Sequence, residues 1–575
     1  MLDRLRRNLP EILGFLALSG IMSLTYRALI STDTILSFDD DVLVYPLLDQ
    51  DSITTYFKNL RAHQFLDIQP VRDLLYMLDI WLIKVLPFWS YHLSNLLIWL
   101  AVCGIYMKIL GRVVESRASR NLIIFLIAIH PAMALSLSWI SAKKHLLAAL
   151  FTGLATWVLM QPPRNTKARR IFQVAGWTVF YALAVFSQPI AILWPFWAAL
   201  YLWTEGDASG EKGQNKWRNK LRILPLLLPA FAVLAICFKL NWDYYSGIYV
   251  VHTGARKVSH QFNLPFAVLG IGRYVYNVVF PSTISVAYDY GAIQNVLGLI
   301  FLPLSLWVFI KTMPVRKLLL WGAYAVFPIA VVLERQSNIF VSDTYLAIPM
   351  LGIAVLFGES TVGIIRKIHA HPAKIRKAVS ALFLVWVAFS VYQSKGISRG
   401  FMSDLELWEW ASGVEKTPFT LSQQVIMEGR HGNDRKALYL AQFFYNWNPE
   451  HLLAARTLAN AVFAYREWSD QEKIKFLEER MNPDPWFNYF LAGLYMKQEK
   501  FEKAWEHARN LYLGAMDFEG SAESISAEVF FLCRRAKGAD CENIEKNFMK
   551  STENRVQPWR HAVFEGRLKA MMPSF

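Results

Sequence analysis

Long apolar runs are the feature that most constrains the fold of this chain. Each run is close to the length that crosses a hydrocarbon core, and the run at 171–204 is long enough for two crossings. Because lipid offers no partners to open backbone groups, every crossing must be helical. We therefore predict about 11 membrane-spanning helices, from runs near 11–30, 91–110, 121–140, 145–160, 171–204, 221–240, 292–311, 317–333, 344–365 and 378–393.

Composition and charge agree with a membrane protein. The chain is 54% hydrophobic and 18% charged, with a mean hydropathy of +0.26, which is more apolar than soluble proteins of this length. The formal net charge of +15 does not indicate a nucleic-acid partner, since every basic cluster flanks an apolar run. Lys and Arg beside a span mark its cytoplasmic side. These clusters lie at 3–8, 111–120, 162–170, 212–222, 311–317 and 366–377.

This charge pattern predicts the topology and the division into domains. We expect a cytoplasmic N-terminus and a transmembrane domain over 1–396, whose first non-cytoplasmic loop is 31–90. The stretches 74–89 and 264–281 are shorter or interrupted, and we expect them to lie in the interface or to re-enter. From Phe401 the composition becomes charged and amphipathic, which predicts a non-cytoplasmic helical domain over 397–575.

The tail resembles a tetratricopeptide repeat over 488–511. Small residues that let two helices approach, and aromatics that fill the gap, occur at the spacing of that repeat. The predicted packing residues are Leu491, Ala492, Tyr495, Phe501, Ala504 and Ala508. A generic helical bundle is the alternative, and either fold predicts a platform that binds another protein.

Two cysteines in the tail allow two interpretations. Cys533 and Cys541 lie eight positions apart in the tail segment CRRAKGADC. An oxidising compartment would favour a disulfide between them. Two unpaired packing thiols are the alternative.

An acidic segment just outside the first span is the first candidate for chemistry. Asp39, Asp40 and Asp41 follow the apolar run at 11–30, on the non-cytoplasmic side of the predicted topology. Ionisable groups at the edge of a membrane domain are functional candidates. One of these carboxylates could act as a general base on an acceptor hydroxyl or bind a cation. A solvated interfacial loop is the alternative.

Five segments together resemble a known family, the tetratricopeptide-bearing (TMTC-type) branch of the GT-C glycosyltransferases. They occur in family order. They are FDDD at 38–41, the segment 69–99 that begins QPVRDLLYMLDIW, the segment 129–151 that begins IHPAMALSLSWISAKKH, YVYNVVFPSTISVAYDYG from 274, and VSDTYLAIPMLG at 341–352. The resemblance implies an all-α GT-C-like membrane domain followed by a soluble helical domain.

The resemblance also implies an activity and residues for it. Such enzymes transfer a sugar from a polyprenyl-phosphate donor, which is a substrate and not a cofactor, on the lumenal or periplasmic side. Asp39 or Asp40 would be the catalytic base. The leaving phosphate needs cationic or hydrogen-bonding partners, for which the candidates are Lys143, Lys144 and His145, and then Arg335 and Arg273. For the two lysines, interfacial snorkelling is the alternative.

A second group of residues could line the substrate pocket. Its members are Asp41, Tyr288, Asp289, Tyr290 and His92. Tyrosines at a span end also anchor helices at the interface, and His92 with Asn95 could instead form an interhelical hydrogen-bonded pair. No metal site is predicted, and the need for a divalent ion is undetermined.

Departures from the family motifs keep two functions open. Leu135 replaces a Glu, His145 an Asp and Thr344 an Arg. The first hypothesis is an integral-membrane glycosyltransferase that modifies a protein or surface glycan recruited by the tail. The second is a catalytically degenerate GT-C-fold scaffold whose tail binds partners of an envelope assembly. For either, we expect the bacterial inner membrane, with the C-terminal domain in the periplasm.

Overall fold

A computed structural model describes most of the chain. The described residues are 14, 16–30, 35–36, 40–48, 50, 52–62, 67–86, 88–162, 167–205, 224–253, 264–289, 291–333, 342–369, 372–480 and 485–514. Every regular element within these ranges is helical, and no strand occurs in them. The prediction of an all-α protein is therefore confirmed for this part of the chain.

The chain divides into two compact units. Unit 1 is Met1–Glu415 and unit 2 is Lys416–Phe575. The change in composition placed the boundary earlier, at 396/397, a position that lies inside the helix Ala373–Gly400.

Proline and serine residues mark the starts of several helices in the first half of unit 1. Pro70 and Pro131 occupy first turns, where a missing N–H costs nothing. Ser90 caps the helix that follows it by accepting from the N–H of Leu93 at 3.0 Å. The helices are α1 (Leu16–Thr25), α2 (Arg27–Ile30), α3 (Asp40–Leu48), α4 (Ile53–Arg61), α5 (Pro70–Val85), α6 (Tyr91–Val113), α7 (Arg117–Ile129), α8 (Pro131–Ser138), α9 (Lys143–Leu159), α10 (Lys167–Ser187) and α11 (Trp194–Glu205). Short 3-10 helices at Ile140–Ala142 and Pro189–Leu193 join α8 to α9 and α10 to α11.

The second half of unit 1 contains longer helices in pairs. The helix Leu264–Val279 packs along Ile293–Thr312, and Val315–Leu333 packs along Pro349–His369. A 3-10 helix, Asp343–Ala347, precedes the helix Pro349–His369 and packs against α8 and α9. The helices are α12 (Leu228–Thr253), α13 (Leu264–Val279), α14 (Ile293–Thr312), α15 (Val315–Leu333), α16 (Pro349–His369), α17 (Ala373–Gly400) and α18 (Asp404–Val414).

Five helices of the described residues are long and apolar enough to cross a bilayer. They are Tyr91–Val113, Arg170–Ser187, Ile293–Thr312, Val315–Leu333 and Ala373–Gly400. The pair α7 and α8, bent by 51° at His130, makes a sixth if it counts as one span. Several apolar helices are shorter, so the expected number of about 11 crossings stays a prediction.

The centre of unit 1 is the connection from α8 to α9. All eight residues of α8 are buried, as are the three residues of the following 3-10 helix, Ile140–Ala142. The helix α6 packs on this centre, and the hydroxyl of Tyr106 donates to the carbonyl of Ala347 at 2.8 Å. At the start of α9, the side chains of Lys143 and His145 are buried inside the protein.

Unit 2 is a stack of helices around its own apolar core. Its described helices are α19 (Pro418–Arg430), α20 (Asp434–Trp447), α21 (Leu452–Ala464), α22 (Asp470–Glu479), α23 (Pro485–Lys497) and α24 (Phe501–Gly514). The helices α23 and α24 pack against each other. Of the six predicted packing residues, Phe501 is half-buried and the other five are buried. Membership of the tetratricopeptide family stays a prediction.

Candidate functional site

Asp40 is buried at the start of α3 and is bonded to the connection before α9. Its carboxylate accepts from the backbone N–H of Ser141 at 2.8 Å and from the hydroxyl of the same residue. Ser141 lies two positions before Lys143. The structure therefore brings the predicted base next to the turn that carries the predicted phosphate-binding lysines.

Lys143 forms a buried ion pair with Asp79. Neither side chain is exposed beyond 1%. The ammonium group also lies 3.3 Å from the hydroxyl of Ser94 and 5.0 Å from the centre of the Tyr76 ring. Trp89 donates its indole N–H to the other oxygen of Asp79 at 3.1 Å. A carboxylate, and not water, is thus the main partner of Lys143, so simple snorkelling does not describe this residue.

A second buried cation, Arg72, extends this group toward α4. Arg72 donates to Asp67 at 2.6 and 3.0 Å and to Asp73 at 2.7 Å. Tyr56 donates its hydroxyl to Asp73 at 2.8 Å. Burial raises the pKa of Asp73, and the donors that surround the carboxylate oppose that rise. We call the residues Asp40, Asp67, Arg72, Asp73, Asp79, Ser141 and Lys143 the Lys143 cluster.

Lys144 and His145, which follow Lys143 in the sequence, lie in different environments. Lys144 is half-buried. His145 is buried, and its ring meets the edge of Tyr345 with centroids 4.8 Å apart. Among the described residues, its Nδ1 atom has no hydrogen-bond partner. The turn therefore places three basic residues in three different settings, and Lys143 forms a buried ion pair with a carboxylate.

His92 and Asn95 do not behave as a pair. The amide of Asn95 donates to the carbonyl of Trp139 at 3.2 Å, which joins α6 to the end of α8. His92 is buried nearby, within electrostatic range of Lys143. Asn95 is an interhelical bond donor, while His92 stays a candidate for the pocket.

Arg273 is the centre of a second buried polar group. It donates to the carbonyl and hydroxyl of Thr283, each at 3.1 Å, and forms an ion pair with Glu415. Its guanidinium carbon lies 3.9 Å from the centre of the Tyr288 ring, at stacking distance. Burial raises the pKa of Glu415, and Arg273 opposes that rise.

Asp343 joins this group from the neighbouring 3-10 helix. Asn277 donates to both carboxylate oxygens at 3.0 Å, and Tyr288 donates its hydroxyl to one of them. Burial raises the pKa of Asp343 to about 6, and these hydrogen bonds oppose the rise. We call the residues Arg273, Asn277, Thr283, Tyr288, Asp343 and Glu415 the Arg273 cluster.

The remaining predicted residues divide into three kinds. Asp289 is exposed; its carboxylate accepts from Gly291 and its own N–H donates to Glu415 at 2.6 Å. Asp41 lies in α3, and its side chain is outside the description. Five others lie outside the described residues: Asp39, Tyr290, Arg335, Cys533 and Cys541. In the described ranges, no three His, Cys, Asp or Glu residues form a group that could hold a metal ion.

The sequence analysis missed five acids and one base that the structure places in these clusters. For α5 the signal was a polar stripe in an otherwise apolar helix. Arg72, Tyr76 and Asp79 recur every three to four positions, which puts them on one face of α5. Asp343 lies within the family-like segment 341–352. The missed charged residues are Asp67, Arg72, Asp73, Asp79, Asp343 and Glu415.

The arrangement offers buried carboxylates beside buried cations. A carboxylate in such a place can accept a proton, and a buried ammonium or guanidinium can stabilise an anion. In the part of the chain that the structure describes, these opposite charges bind each other. A small cavity of about 10 Å³ lies elsewhere, among Thr152, Trp194, Trp197 and Tyr324, and it contains none of the predicted site residues.

Comparisons of the chain with protein-family models, with curated proteins and with solved structures gave no match.

Proposed function

We propose that the chain is an integral-membrane glycosyltransferase that uses a polyprenyl-phosphate-linked sugar. It would act on a protein or surface glycan on the non-cytoplasmic side, which in a bacterial inner membrane is the periplasm. The observation that carries this proposal is the bond from Ser141 to Asp40, because it places a buried carboxylate beside Lys143. A proton acceptor and a cation are the two groups that transfer from a lipid phosphate requires.

The proposed reaction is a single displacement. The acceptor hydroxyl oxygen forms a bond to the anomeric carbon of the sugar, and its proton passes to the carboxylate of Asp40. The bond from that carbon to the phosphate oxygen breaks, and the electron pair leaves with the polyprenyl phosphate. Lys143 would stabilise the departing charge, with His145 and Arg273 as further candidates. Asp39 remains an alternative base from the sequence.

Donor binding would require the Lys143 cluster to rearrange. Lys143 is paired with Asp79, so a phosphate that binds this ammonium must compete with a carboxylate already in place. Asp79 would then retain the indole N–H of Trp89 as its donor. The exchange keeps the buried lysine paired with an anion throughout, but it separates the Asp79 carboxylate from its cation, and donor binding must offset the cost of that separation.

The same pairing supports a second candidate function. Lys143 is paired with Asp79 and Arg273 with Glu415. Ion pairs that satisfy each other can hold helices together without any chemistry. A membrane scaffold whose tail binds partners of an envelope assembly would need nothing more.

One comparison of cells separates the two candidates. We would compare surface glycans and glycoproteins by mass spectrometry in cells with the wild-type chain, a complete deletion, and Asp40→Asn at equal protein level. The matched control is Asp243→Asn, which changes an exposed carboxylate. If Asp40→Asn loses a glycan that the deletion also loses, and the control keeps it, the transferase is supported. A glycan that disappears in the deletion but survives both Asp40→Asn and the double change Asp39→Asn with Asp40→Asn supports the scaffold.

A further inference from the structure

One helix face of unit 2 carries an exposed aromatic stripe. Tyr439, Phe443 and Trp447 are exposed by 69%, 41% and 50%. Among the described residues of unit 2, no other large apolar side chain is exposed to this degree. Their spacing of four places them on one side of α20. We call these three residues the aromatic face.

The opposite side of α20 packs into the core of unit 2. Ala437, Leu438, Ala441 and Phe444 are buried in the core of unit 2. A helix on the surface of a bundle is normally polar on its outward side. The aromatic face therefore lies on the side of α20 away from the described core of unit 2, and its exposure needs another explanation.

The residue types favour a lipid interface. Tyr and Trp combine an apolar ring with a polar edge, and they are concentrated where a bilayer meets water. Basic groups lie at the same place. The ammonium of Lys416 is 5.6 Å from the centre of the Phe443 ring. Arg435 precedes Tyr439 by one turn, and its guanidinium pairs with Glu467 at 2.9 Å. Such charges attract the phosphates of anionic lipids.

The aromatic face lies close in sequence to a candidate membrane-spanning helix. The candidate span α17 ends at Gly400, and α20 begins at Asp434. A surface attached through so short a connection meets its target at a high effective concentration, so a weak contact is enough.

The size of the aromatic face argues against a stable protein partner. At these exposures three rings present an area on the order of 300–400 Å². A stable protein interface buries about 800 Å² on each side. A bilayer contact that only orients an already anchored domain has no such requirement.

We propose that the aromatic face of α20 docks on the headgroup region of a bilayer that contains anionic phospholipid. The three rings enter the interface, and Lys416 meets a lipid phosphate. This contact orients unit 2 on the membrane surface. It does not depend on the transferase proposal, because a scaffold would use it equally.

The test uses the full chain in lipid vesicles. A variant with Cys533→Ser and Cys541→Ser leaves only the buried Cys103 and Cys237 as native thiols. A spin label is then placed at Phe443→Cys or, as the matched control, at Lys475→Cys, whose native side chain is 77% exposed. Collision rates with oxygen, which concentrates in lipid, and with a water-soluble nickel complex report where each label lies.

In vesicles of phosphatidylcholine and phosphatidylglycerol, we expect the ratio of oxygen to nickel collisions to be several-fold higher at 443 than at 475. Tyr439→Ser with Trp447→Ser should bring the ratio at 443 down to that of the control. Because both residues are exposed, the melting temperature should not change. Vesicles of phosphatidylcholine alone should give a smaller difference between the two labels.

Three results would overturn the proposal. Equal ratios at 443 and 475 would mean that the aromatic face stays in water. A label that is immobilised at 443 without a rise in oxygen collisions would indicate a protein partner or a second copy of the chain. A ratio at 443 that is the same with and without phosphatidylglycerol would remove the anionic lipid from the proposal.

Discussion

Asp40 and Ser141 lie 101 positions apart in the chain, yet the backbone N–H of Ser141 donates to the Asp40 carboxylate at 2.8 Å. The bond joins the start of α3 to the connection between α8 and α9. Both residues are buried, so water cannot replace either partner. The side chain of Asp40 thus has a structural role whatever its chemical role is.

This structural role predicts a difference between two substitutions at Asp40. Asp40→Ala removes the acceptor and leaves a buried N–H unsatisfied, which should lower the free energy of unfolding by about 1–3 kcal/mol. Asp40→Asn keeps a carbonyl oxygen for Ser141 and should cost less than about 1 kcal/mol. The measurement is chemical unfolding in detergent, followed by intrinsic fluorescence.

The stability of the two Asp40 variants also controls for misfolding in the glycan experiment. If Asp40→Asn is as unstable as Asp40→Ala, the hydrogen bond does not explain the burial of this residue. Loss of a glycan in the Asn variant would then reflect misfolding and could not be assigned to a missing base.

The ion pair of Asp79 with Lys143 predicts strong non-additivity. Each single change, Asp79→Leu or Lys143→Met, leaves one buried charge without its partner and should cost about 3–5 kcal/mol. The double variant replaces the pair by apolar side chains and should lie within about 2 kcal/mol of the wild type. Unfolding of all four proteins in detergent gives the coupling free energy.

The exposed pair of Lys239 with Asp243 is the matched control for this cycle. Their side chains are 76% and 54% exposed, so its coupling should be below about 1 kcal/mol. Additive losses at Asp79 and Lys143 would show that the two charges are not desolvated together, contrary to the described contact.

Local patterns predicted the helices but not the partners of the charged residues. Apolar runs and the compositional change near residue 400 gave an all-α chain, because both depend only on neighbours in sequence. That Asp79 would meet Lys143 depends on how α5 packs against α6 and α9. No periodicity within either segment specifies such a pairing.

Some of the missed residues could have been identified from the sequence, and others could not. The stripe of Arg72, Tyr76 and Asp79 on α5 was readable as a polar face inside an apolar stretch. Glu415 does not belong to any such periodic polar face. Its burial follows from the contact with Arg273, a residue more than a hundred positions away, and nothing in the local sequence around Glu415 distinguishes it from a solvated acid.

The burial of Asp343 predicts a pH-dependent contribution to stability. Its pKa in the folded protein is about 6, against 3.8 for an ordinary aspartate. Because the folded pKa is the higher one, the folded state binds this proton more tightly, and the contribution is complete below pH 3.8. It is lost as the pH rises through about 6, and the full difference corresponds to about 3 kcal/mol.

Asp343→Asn isolates this contribution, because the amide has no proton to gain in that range. We expect the stability of the wild type relative to the variant to fall as the pH is raised from about 4 to about 7. Melting temperatures of both proteins across this range provide the measurement. A constant difference would mean that Asp343 titrates as it does in the unfolded chain.

The crossing of α13 and α14 predicts the last effect, at Gly298. A Cβ atom there would collide with the backbone carbonyl of Gly272 and lie 3.0 Å from the backbone nitrogen of Tyr276. Since neither contact can yield without moving a helix, Gly298→Ala should cost at least about 2 kcal/mol. The matched control is Gly322→Ala in α15, where a Cβ meets nothing within 4 Å.

The control should gain up to about 1 kcal/mol, because alanine favours a helix over glycine. The two substitutions add the same methyl group to helices of the same unit, so only the local space differs. Melting temperatures that move in opposite directions would support the close crossing of α13 and α14. If Gly298→Ala melts like the control, the two helices lie farther apart than described, and the position of Arg273 on α13 relative to Tyr288 would have to change with them.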